Sequence, residues 1–374
     1  MATIASLLGT VGVATIGPLS AAHAQVIALP PELVSDPDLS AEELAQVRAF
    51  IDEHAPALLR SADREKLMAA RLALVTPLAN PAASAPFRIG MAAALDPTLA
   101  QMMDAKEDLL VINALVISGE LATPTALSRL TAALSSDNAP IRFQAAAGLR
   151  RAFSAMQSGT PAVRADQADD AITAIGNRLA REEDPIVIDG LVAASLAAIG
   201  IDRHRTIAIT QLSTGLIANT RAAGNNLRGE AYANALLRAS SGVRDALGKP
   251  GGAAAPAAAK QAAELAGSII AHARLVVQAS KLPVIPAGDN KIPAVREAYA
   301  QAIGAAGQLL QLAATTLNAN ARVALPDLVA SLRAGTVQRD TQFTLDAETI
   351  IGGGAGVPAM ARPPFDFPAN HFVK

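Results

Sequence analysis

One amphipathic helix pattern recurs along the chain and constrains the fold more than any other feature. Its clearest copy runs from Pro140 to Ala152, with its core positions at offsets 0, 1, 5 and 8 from the first apolar residue. At about 100° per residue these offsets fall within about 140° of one helix face, which is the width of a core-facing stripe. Copies of the pattern begin at five positions: Leu109, Ile141, Ile186, Leu227 and Val295.

A second kind of helix follows most of these copies and has a narrower apolar stripe at offsets 0, 3 and 7. Helix pairs that repeat about every 40–47 residues are typical of HEAT and armadillo repeats. Successive first helices begin 32, 45, 41 and 68 residues apart, which predicts about five irregular pairs. The second stripes are Leu127/Leu130/Leu134, Ile172/Ile175/Leu179, Ile209/Leu212/Leu216 and Leu325/Leu328/Leu332.

The stretches APIRFQAAAGL and PAVREAYAQAIG resemble the first helix of bacterial HEAT-like repeats. Each has a proline, a branched apolar residue, an arginine, then small residues and a closing aliphatic residue. The resemblance covers roughly residues 106–335. It implies an all-α fold, a right-handed α-solenoid of irregular HEAT/armadillo-like helix pairs with an irregular C-terminal tail. A resemblance of this kind informs on architecture and leaves activity open.

The chain divides into six segments by composition. Residues 1–24 have an apolar run from Ile4 to Ile16, a break at Pro18 and Ala22-His23-Ala24 as a cleavage site, which predicts a signal peptide and a periplasmic or secreted protein. Ser40 and Glu43 form a predicted capping box at the start of the first long helix. The further segments are an N-terminal helical cap (25–105), HEAT-like repeats (106–247), a flexible loop or linker (248–261), further helical repeats (262–335) and a Gly/Pro/Phe-containing tail (336–374).

Several local expectations complete this division. Residues 25–38 read as a lead-in strand or loop, and 63–75 as a helix that ends before Pro77. A short helix is expected around 87–95. In the tail, the alternation of TQFTL at 341–345 predicts a short strand.

Composition excludes several classes of function. The net charge is −2, so the chain as a whole has no electrostatic preference for nucleic acid or an anionic membrane. Hydrophobic residues make up 51% of the chain, and the excess over an ordinary content is alanine. Aromatic residues make up only 3%. There is no cysteine, which excludes disulfides, thiol catalysis and cysteine-based metal sites.

No motif assembles a catalytic, metal or cofactor site. The histidines after the signal segment, His54, His204, His272 and His371, lack the spacing of a zinc motif. The Asp36-to-Ser40 stretch opens like a calcium loop, but Ala41 and Val47 replace the required glycine and glutamate. There is no nucleophile elbow and no P-loop. We therefore predict no catalytic residue, no bound metal and no cofactor.

Two sets of residues are candidates for binding a partner. Arg142, Arg228 and Arg296 recur at one repeat position, where they either interlock neighbouring helix pairs or form a basic ladder for an acidic ligand. Burial of an unpaired charge is costly, which favours interlocking. Phe365, Phe367 and Phe372 in the tail either dock on a partner or fold back over the last repeat, and an exposed array end favours folding back.

These observations lead to an expected function. We expect an exported, non-catalytic helical-repeat scaffold that binds an unidentified protein or peptide partner, without nucleic acid and without stable membrane insertion after signal cleavage. The alternatives are a helical-repeat hydrolase or lyase with an active site on the concave face, and a structural surface protein.

Overall fold

A computed structural model of the chain describes residues 29–60, 63–158, 162–249, 256–286 and 291–373. The predicted signal peptide at 1–24 lies outside these residues. Fifteen α-helices and two short 3₁₀ turns account for the regular structure in the described ranges, and no strand occurs there. The prediction of an all-α protein is confirmed.

Four helices form the N-terminal region: α1 (Pro31–Ser35), α2 (Ala41–Leu58), α3 (Arg64–Leu78) and α4 (Ala85–Met103). The predicted capping box is present, because the Ser40 hydroxyl accepts from the Glu43 N–H at 3.3 Å and the Glu43 carboxylate accepts from the Ser40 N–H at 2.8 Å. The lead-in segment, expected to be a strand or loop, contains helix α1. Helix α4 is also longer than expected.

Helices α3 and α4 both extend beyond their predicted ends, although each contains a proline. A proline removes one helical hydrogen bond and crowds the preceding turn, so we expected helix ends before Pro77 and after Leu95. Leu78 follows the first proline and is 1% exposed, and Leu99 follows Pro97 and is fully buried. Burial of these side chains contributes about 1.5–3 kcal/mol each, which offsets much of the local cost.

The central region contains nine helices, and the five copies of the first pattern correspond to α5, α7, α9, α11 and α13, although the first two positions of the fourth copy, Leu227 and Arg228, precede α11. The bounds are α5 (Asp108–Leu121), α6 (Pro124–Ala133), α7 (Ala139–Ser158), α8 (Ala165–Leu179), α9 (Pro185–Ile199), α10 (Arg205–Ala223), α11 (Gly229–Leu247), α12 (Pro256–Gln278) and α13 (Ala294–Leu317).

The helices of the central region pack in two layers. Helices α3, α5, α7, α9, α11 and α13 each contact the next member of this series, and we call them layer A. Helices α6, α8, α10 and α12 stack in the same way, followed by α15 (Val337–Ile351), and we call them layer B. An apolar core fills the space between the layers from α5 onward. A second apolar cluster joins α1–α4 to the other side of α5.

Glycine permits the closest approach between helices within layer A. A Cβ placed on Gly119 of α5 would lie 2.7 Å from the Cα of Gly148 on α7 and 2.9 Å from its carbonyl oxygen. Backbone atoms cannot move aside as the end of a side chain can. The contact between α5 and α7 therefore requires a residue without a side chain at position 119.

The C-terminal region differs from its predicted boundaries in two places. Helix α12 begins at Pro256, so residues 256–261 of the expected linker are helical, while 250–255 lie outside the described residues. The expected strand at 341–345 lies inside α15, where Phe343, Ala347 and Ile350 are buried at helical spacing. The short helix α14 (Leu328–Ala334) connects α13 to α15, and the irregular tail starts at Gly352.

Within the described ranges, no single helix has both the length and the apolar character needed to cross a membrane. One pair, Pro185–Ile199 with Asp202–Ala223, meets the length and composition criteria jointly, with a bend of 114° at its break.

Candidate functional site

Arg142 lies at the centre of a buried ion-pair cluster. Its guanidinium donates to the two carboxylate oxygens of Glu182 at 2.8 and 2.9 Å, and to the carbonyls of Ser136 and Asp137. Arg178 also donates to Glu182 at 2.8 Å. Burial alone would raise the pKa of Glu182, but hydrogen bonds from Arg142, the Asp184 N–H and Arg178 outweigh it and lower that pKa to about 2.

Arg228 belongs to a polar network that continues from this cluster. Its guanidinium donates to the carbonyl of Glu182 at 3.2 Å and to the side-chain oxygen of Asn219 at 2.9 Å. The Asn219 amide in turn donates to the carbonyls of Leu179 and Glu182, both at 2.7 Å. The Tyr232 hydroxyl completes the set by donating to Asn219 at 3.0 Å. The network ties α10 and α11 to the turn between α8 and α9.

Arg296 makes the third contact of this type and is fully buried. It donates to both carboxylate oxygens of Asp340 at 2.7 and 3.0 Å, and to the carbonyls of Pro283 and Leu332. Interlocking of neighbouring helices therefore accounts for the contacts of all three recurring arginines. Arg142 and Arg296 offer no exposed ladder for an acidic ligand, so partner binding by these residues finds no support here.

The three tail phenylalanines pack against the protein's own helices. Phe365, Phe367 and Phe372 are 1%, 7% and 6% exposed. The Phe372 ring lies over Gly267 of α12, where a Cβ would be only 2.7 Å from the ring. The tail thus folds back over α12, as the intramolecular alternative predicted, and these rings are not available to a partner in this conformation.

A small polar pocket lies where the tail crosses α10 and α12. Glu264 accepts from Arg221 at 3.1 Å, and its carboxylate lies 2.7 Å from the Nε2 of His371. Ser268 and His272 line the same pocket. Its volume is about 20 Å³, which is room for about one water molecule. A pocket of this size does not admit a substrate.

His272 is held neutral by its surroundings. Its Nδ1 donates to the carbonyl of Gly224 at 2.9 Å, so its Nε2 accepts from the Tyr299 hydroxyl at 3.0 Å. Burial disfavours the charged ring and lowers the pKa of His272 to about 4, and the charge of Arg228 acts in the same direction. Both ring nitrogens are engaged, so the contacts of His272 are structural.

The outer surface of layer A carries an exposed apolar patch on α7 and α9. The seven other phenylalanines are at least 93% buried, but Phe143 on α7 is 39% exposed. Its ring lies 3.2 Å from the position of a Cβ on Gly190 of α9. Ile186, one helical turn before that glycine, is 60% exposed. We call Phe143, Ile186 and Gly190 the α7–α9 patch.

Buried polar atoms without a partner occur in two residues that are sequence neighbours of Phe143 and Gly190. Among the described residues, Gln144 Nε2 and Asp189 Oδ1 are buried atoms without a hydrogen-bond partner. The second oxygen of Asp189 pairs with Arg238 on α11 at 3.2 Å. Burial raises the pKa of Asp189 above its ordinary value, and the charge of Arg238 opposes that shift. Both unpaired atoms are enclosed by the protein, so the exposed surface of the patch itself is apolar.

The sequence pattern assigned Ile186 to the core, and the structure corrects this. Ile186 occupies offset 0 of its copy, at the edge of the 140° arc. At the same offset, Ile141 is 9% exposed and Ile186 is 60% exposed. Edge positions of a stripe are the first to leave the core when neighbouring helices shift. The sequence does contain one sign of this surface. Phe143 is an aromatic residue two positions after Ile141, outside the apolar arc of its own copy of the pattern.

Metal-ligating side chains do not cluster in the described residues. Within the described part of the chain, no three His, Cys, Asp or Glu residues converge closely enough to hold a metal ion.

No protein-family model and no curated protein sequence matches the chain. The chain is similar to a crystal structure of an engineered protein from the Northeast Structural Genomics Consortium, at 15% identity and a TM-score of 0.31, with 85% of this chain and 87% of that chain covered.

Proposed function

We propose that the protein is a helical-repeat scaffold that holds a protein or peptide partner on the outer surface of layer A. The exposed aromatic ring of Phe143 beside Ile186 is the observation that carries this proposal. Exposed apolar groups cluster at binding surfaces, and aromatic rings supply large contact areas there.

The proposed architecture is a right-handed α-solenoid of HEAT-like repeats. Two features support it. The five copies of the first pattern all become members of layer A, and helices two positions apart stack along both layers. A repeat array of this kind presents an extended surface rather than an enclosed cavity.

The α7–α9 patch suits a partner segment with an apolar side chain. The side chain would cover Phe143 and Ile186, which are 39% and 60% exposed. Removal of this apolar area from water favours binding.

Export and absence of catalysis are further parts of the proposal. The apolar run and the Ala22-His23-Ala24 site support cleavage after residue 24 and a periplasmic or secreted location. We place no catalytic role on any residue and assign no cofactor. No contact that we describe favours the hydrolase or lyase alternative.

Site-specific photocrosslinking tests the proposed surface. The photoreactive residue p-benzoylphenylalanine replaces Phe143 in cells that produce the protein, and Ile89 in a control variant. Ile89 lies on α4 outside layer A and is 50% exposed. We expect a discrete crosslinked species at position 143 and none at position 89.

A second substitution distinguishes docking from chance contact. Ile186→Asp places a charge in the patch at a position that is 60% exposed, so the fold should tolerate it. The crosslinked species at position 143 should then disappear while the melting temperature stays within a few degrees. Equal adducts at positions 143 and 89, or an adduct that survives Ile186→Asp, would refute the proposed surface.

A further inference from the structure

A positively charged cavity lies between the C-terminal ends of α3, α5 and α7, separate from the α7–α9 patch. Its volume is about 280 Å³. The guanidinium groups of Arg88, Arg150 and Arg151 line it together with the single carboxylate of Glu120. Three positive charges and one negative charge give the lining a net charge of +2.

Arg88 supplies a buried positive charge without a carboxylate in hydrogen-bond contact. The residue is 6% exposed, and its guanidinium donates to the backbone carbonyls of Leu78, Ala83 and Glu120. Burial lowers the pKa of Arg88, since removal from water disfavours the charged form. A negative charge bound nearby would offset that cost.

Arg151 has a free donor at the same cavity. Its Nε forms an ion pair with Glu120 Oε1 at 3.1 Å, while its Nη1 is buried without a hydrogen-bond partner. Glu120 interacts electrostatically with both Arg88 and Arg151, so one carboxylate serves two guanidinium groups. Burial also raises the pKa of Glu120, and the charges of Arg151 and Arg88 oppose that shift.

The lining contains further charged and polar residues. Arg150 is exposed at the cavity, and the hydroxyls of Ser154 and Ser158 and the side chain of Asn80 lie in its wall. Guanidinium groups match the planar, two-oxygen geometry of carboxylates and phosphates, which accept paired hydrogen bonds. A cavity of about 280 Å³ is below the usual range for drug-sized ligands and suits a small group.

We propose that this cavity binds an oxyanion, a carboxylate or a phosphate group, between Arg88, Arg150 and Arg151. The bound oxygens occupy the donors that Glu120 leaves free, and the anion balances the excess charge of the lining. Arg88 acts from behind as a fixed charge. The site is independent of partner binding at the α7–α9 patch.

Calorimetric titration with inorganic phosphate and with succinate tests the site, at an ionic strength held constant with sodium chloride. We expect saturable binding of at least one anion with a 1:1 ratio. Arg150→Gln and Arg151→Gln should each weaken it about tenfold, because each removes a charged donor. Arg48→Gln, an exposed arginine on α2, is the matched control and should leave affinity unchanged.

Glu120→Gln gives a change of opposite sign that a merely structural role would not produce. The substitution keeps the shape of the side chain but removes the competing carboxylate, so anion affinity should rise several-fold. Tighter binding of phosphate identifies a phosphate-bearing ligand, and tighter binding of succinate identifies a carboxylate-bearing one. Absence of binding by both anions, or the same affinity in Glu120→Gln and Arg151→Gln as in the unmodified protein, would overturn the proposal.

Discussion

Arg142 on α7 and Glu182, 40 positions later in the chain, form a buried bidentate ion pair. Glu182 is 1% exposed and lies in the turn between α8 and α9. The pair therefore fixes the distance between one helix of layer A and the turn that leads into the next. Arg178 and two backbone N–H groups complete the set of donors around the carboxylate.

Glu182→Gln should strongly destabilise the protein at neutral pH. Removing one partner of a buried ion pair leaves the other charge uncompensated, which costs about 3–5 kcal/mol. Chemical denaturation at pH 7 should show this loss in the free energy of unfolding. The exposed neighbour Glu183 provides the control, since Glu183→Gln should change it by less than about 0.5 kcal/mol.

Low pH should reduce the difference in the free energy of unfolding between the unmodified protein and Glu182→Gln. The pKa of Glu182 is about 2 in the folded protein and 4.5 in its ordinary state, so the folded carboxylate holds its proton less tightly. Its contribution is fully present above pH 4.5 and is lost as the pH falls toward 2. The shift corresponds to stabilisation on the order of 3 kcal/mol. A gap between the unmodified protein and Glu182→Gln that stays constant from pH 6 to pH 3 would contradict the assignment.

His272 should make stability depend on pH in a higher range. Its folded pKa of about 4 is below the ordinary 6.5, so the unfolded chain binds a proton more readily between these values. Stability is therefore full above pH 6.5 and falls as the pH drops toward 4.

A variant without the imidazole isolates this effect. His272→Gln should lose stability at pH 7 because the contacts to Gly224 and Tyr299 are disturbed. Its free energy of unfolding should nevertheless change less between pH 6.5 and 4 than that of the unmodified protein. Denaturant titrations at several pH values measure both slopes, and equal slopes would exclude His272 as the cause.

The sequence predicted the helices better than it predicted their contacts. All five copies of the first pattern became helices of layer A, because a 3.6-residue period is a local property of the chain. Glu182 was not identified, since its partner Arg142 is remote in sequence and the pairing depends on how the turns meet. The strand prediction at 341–345 was wrong because five alternating residues did not show the longer spacing of Phe343, Ala347 and Ile350.

The α7–α9 patch was not predicted from the sequence, for a related reason. Position within a stripe predicts burial only near its centre, and Ile186 lies at the edge. Whether an edge residue is covered depends on the neighbouring helix. Phe143 on α7 lies against Gly190 of α9 and leaves the side chain of Ile186, one turn earlier on α9, exposed. Sequence alone does not give the separation between adjacent helices.

Two glycine-to-alanine substitutions should have opposite effects. Gly119→Ala should destabilise the protein by about 1–3 kcal/mol, because the new methyl group meets the backbone of Gly148 at 2.7–2.9 Å. Gly307→Ala meets only a side-chain methyl of Leu325 at 3.5 Å, an ordinary contact. There the gain in helix propensity should stabilise by about 0.5–1 kcal/mol. Thermal unfolding checks both signs, and a stabilising Gly119→Ala would disprove the close approach of α5 and α7.

The tail covers α12 through contacts above Gly267. A Cβ at this position would lie 2.6 Å from the sulfur of Met360 and 2.7 Å from the ring of Phe372. Gly267→Ala should therefore displace the tail while α12 itself gains helix propensity. Hydrogen exchange should accelerate over residues 358–373 and stay unchanged in the core of α7 and α9.

Gly304→Ala on α13 is the matched control, because its Cβ would meet only Val329 at 3.4 Å. It should leave exchange in the tail unchanged. Phe372→Ala should reproduce the loosening from the tail's own side, since it removes the ring that covers position 267. Because the tail buries three phenylalanines against the helices, its release should also expose apolar area and increase binding of a hydrophobic dye. If exchange over 358–373 were as slow in Gly267→Ala as in Gly304→Ala, the tail would not depend on this contact.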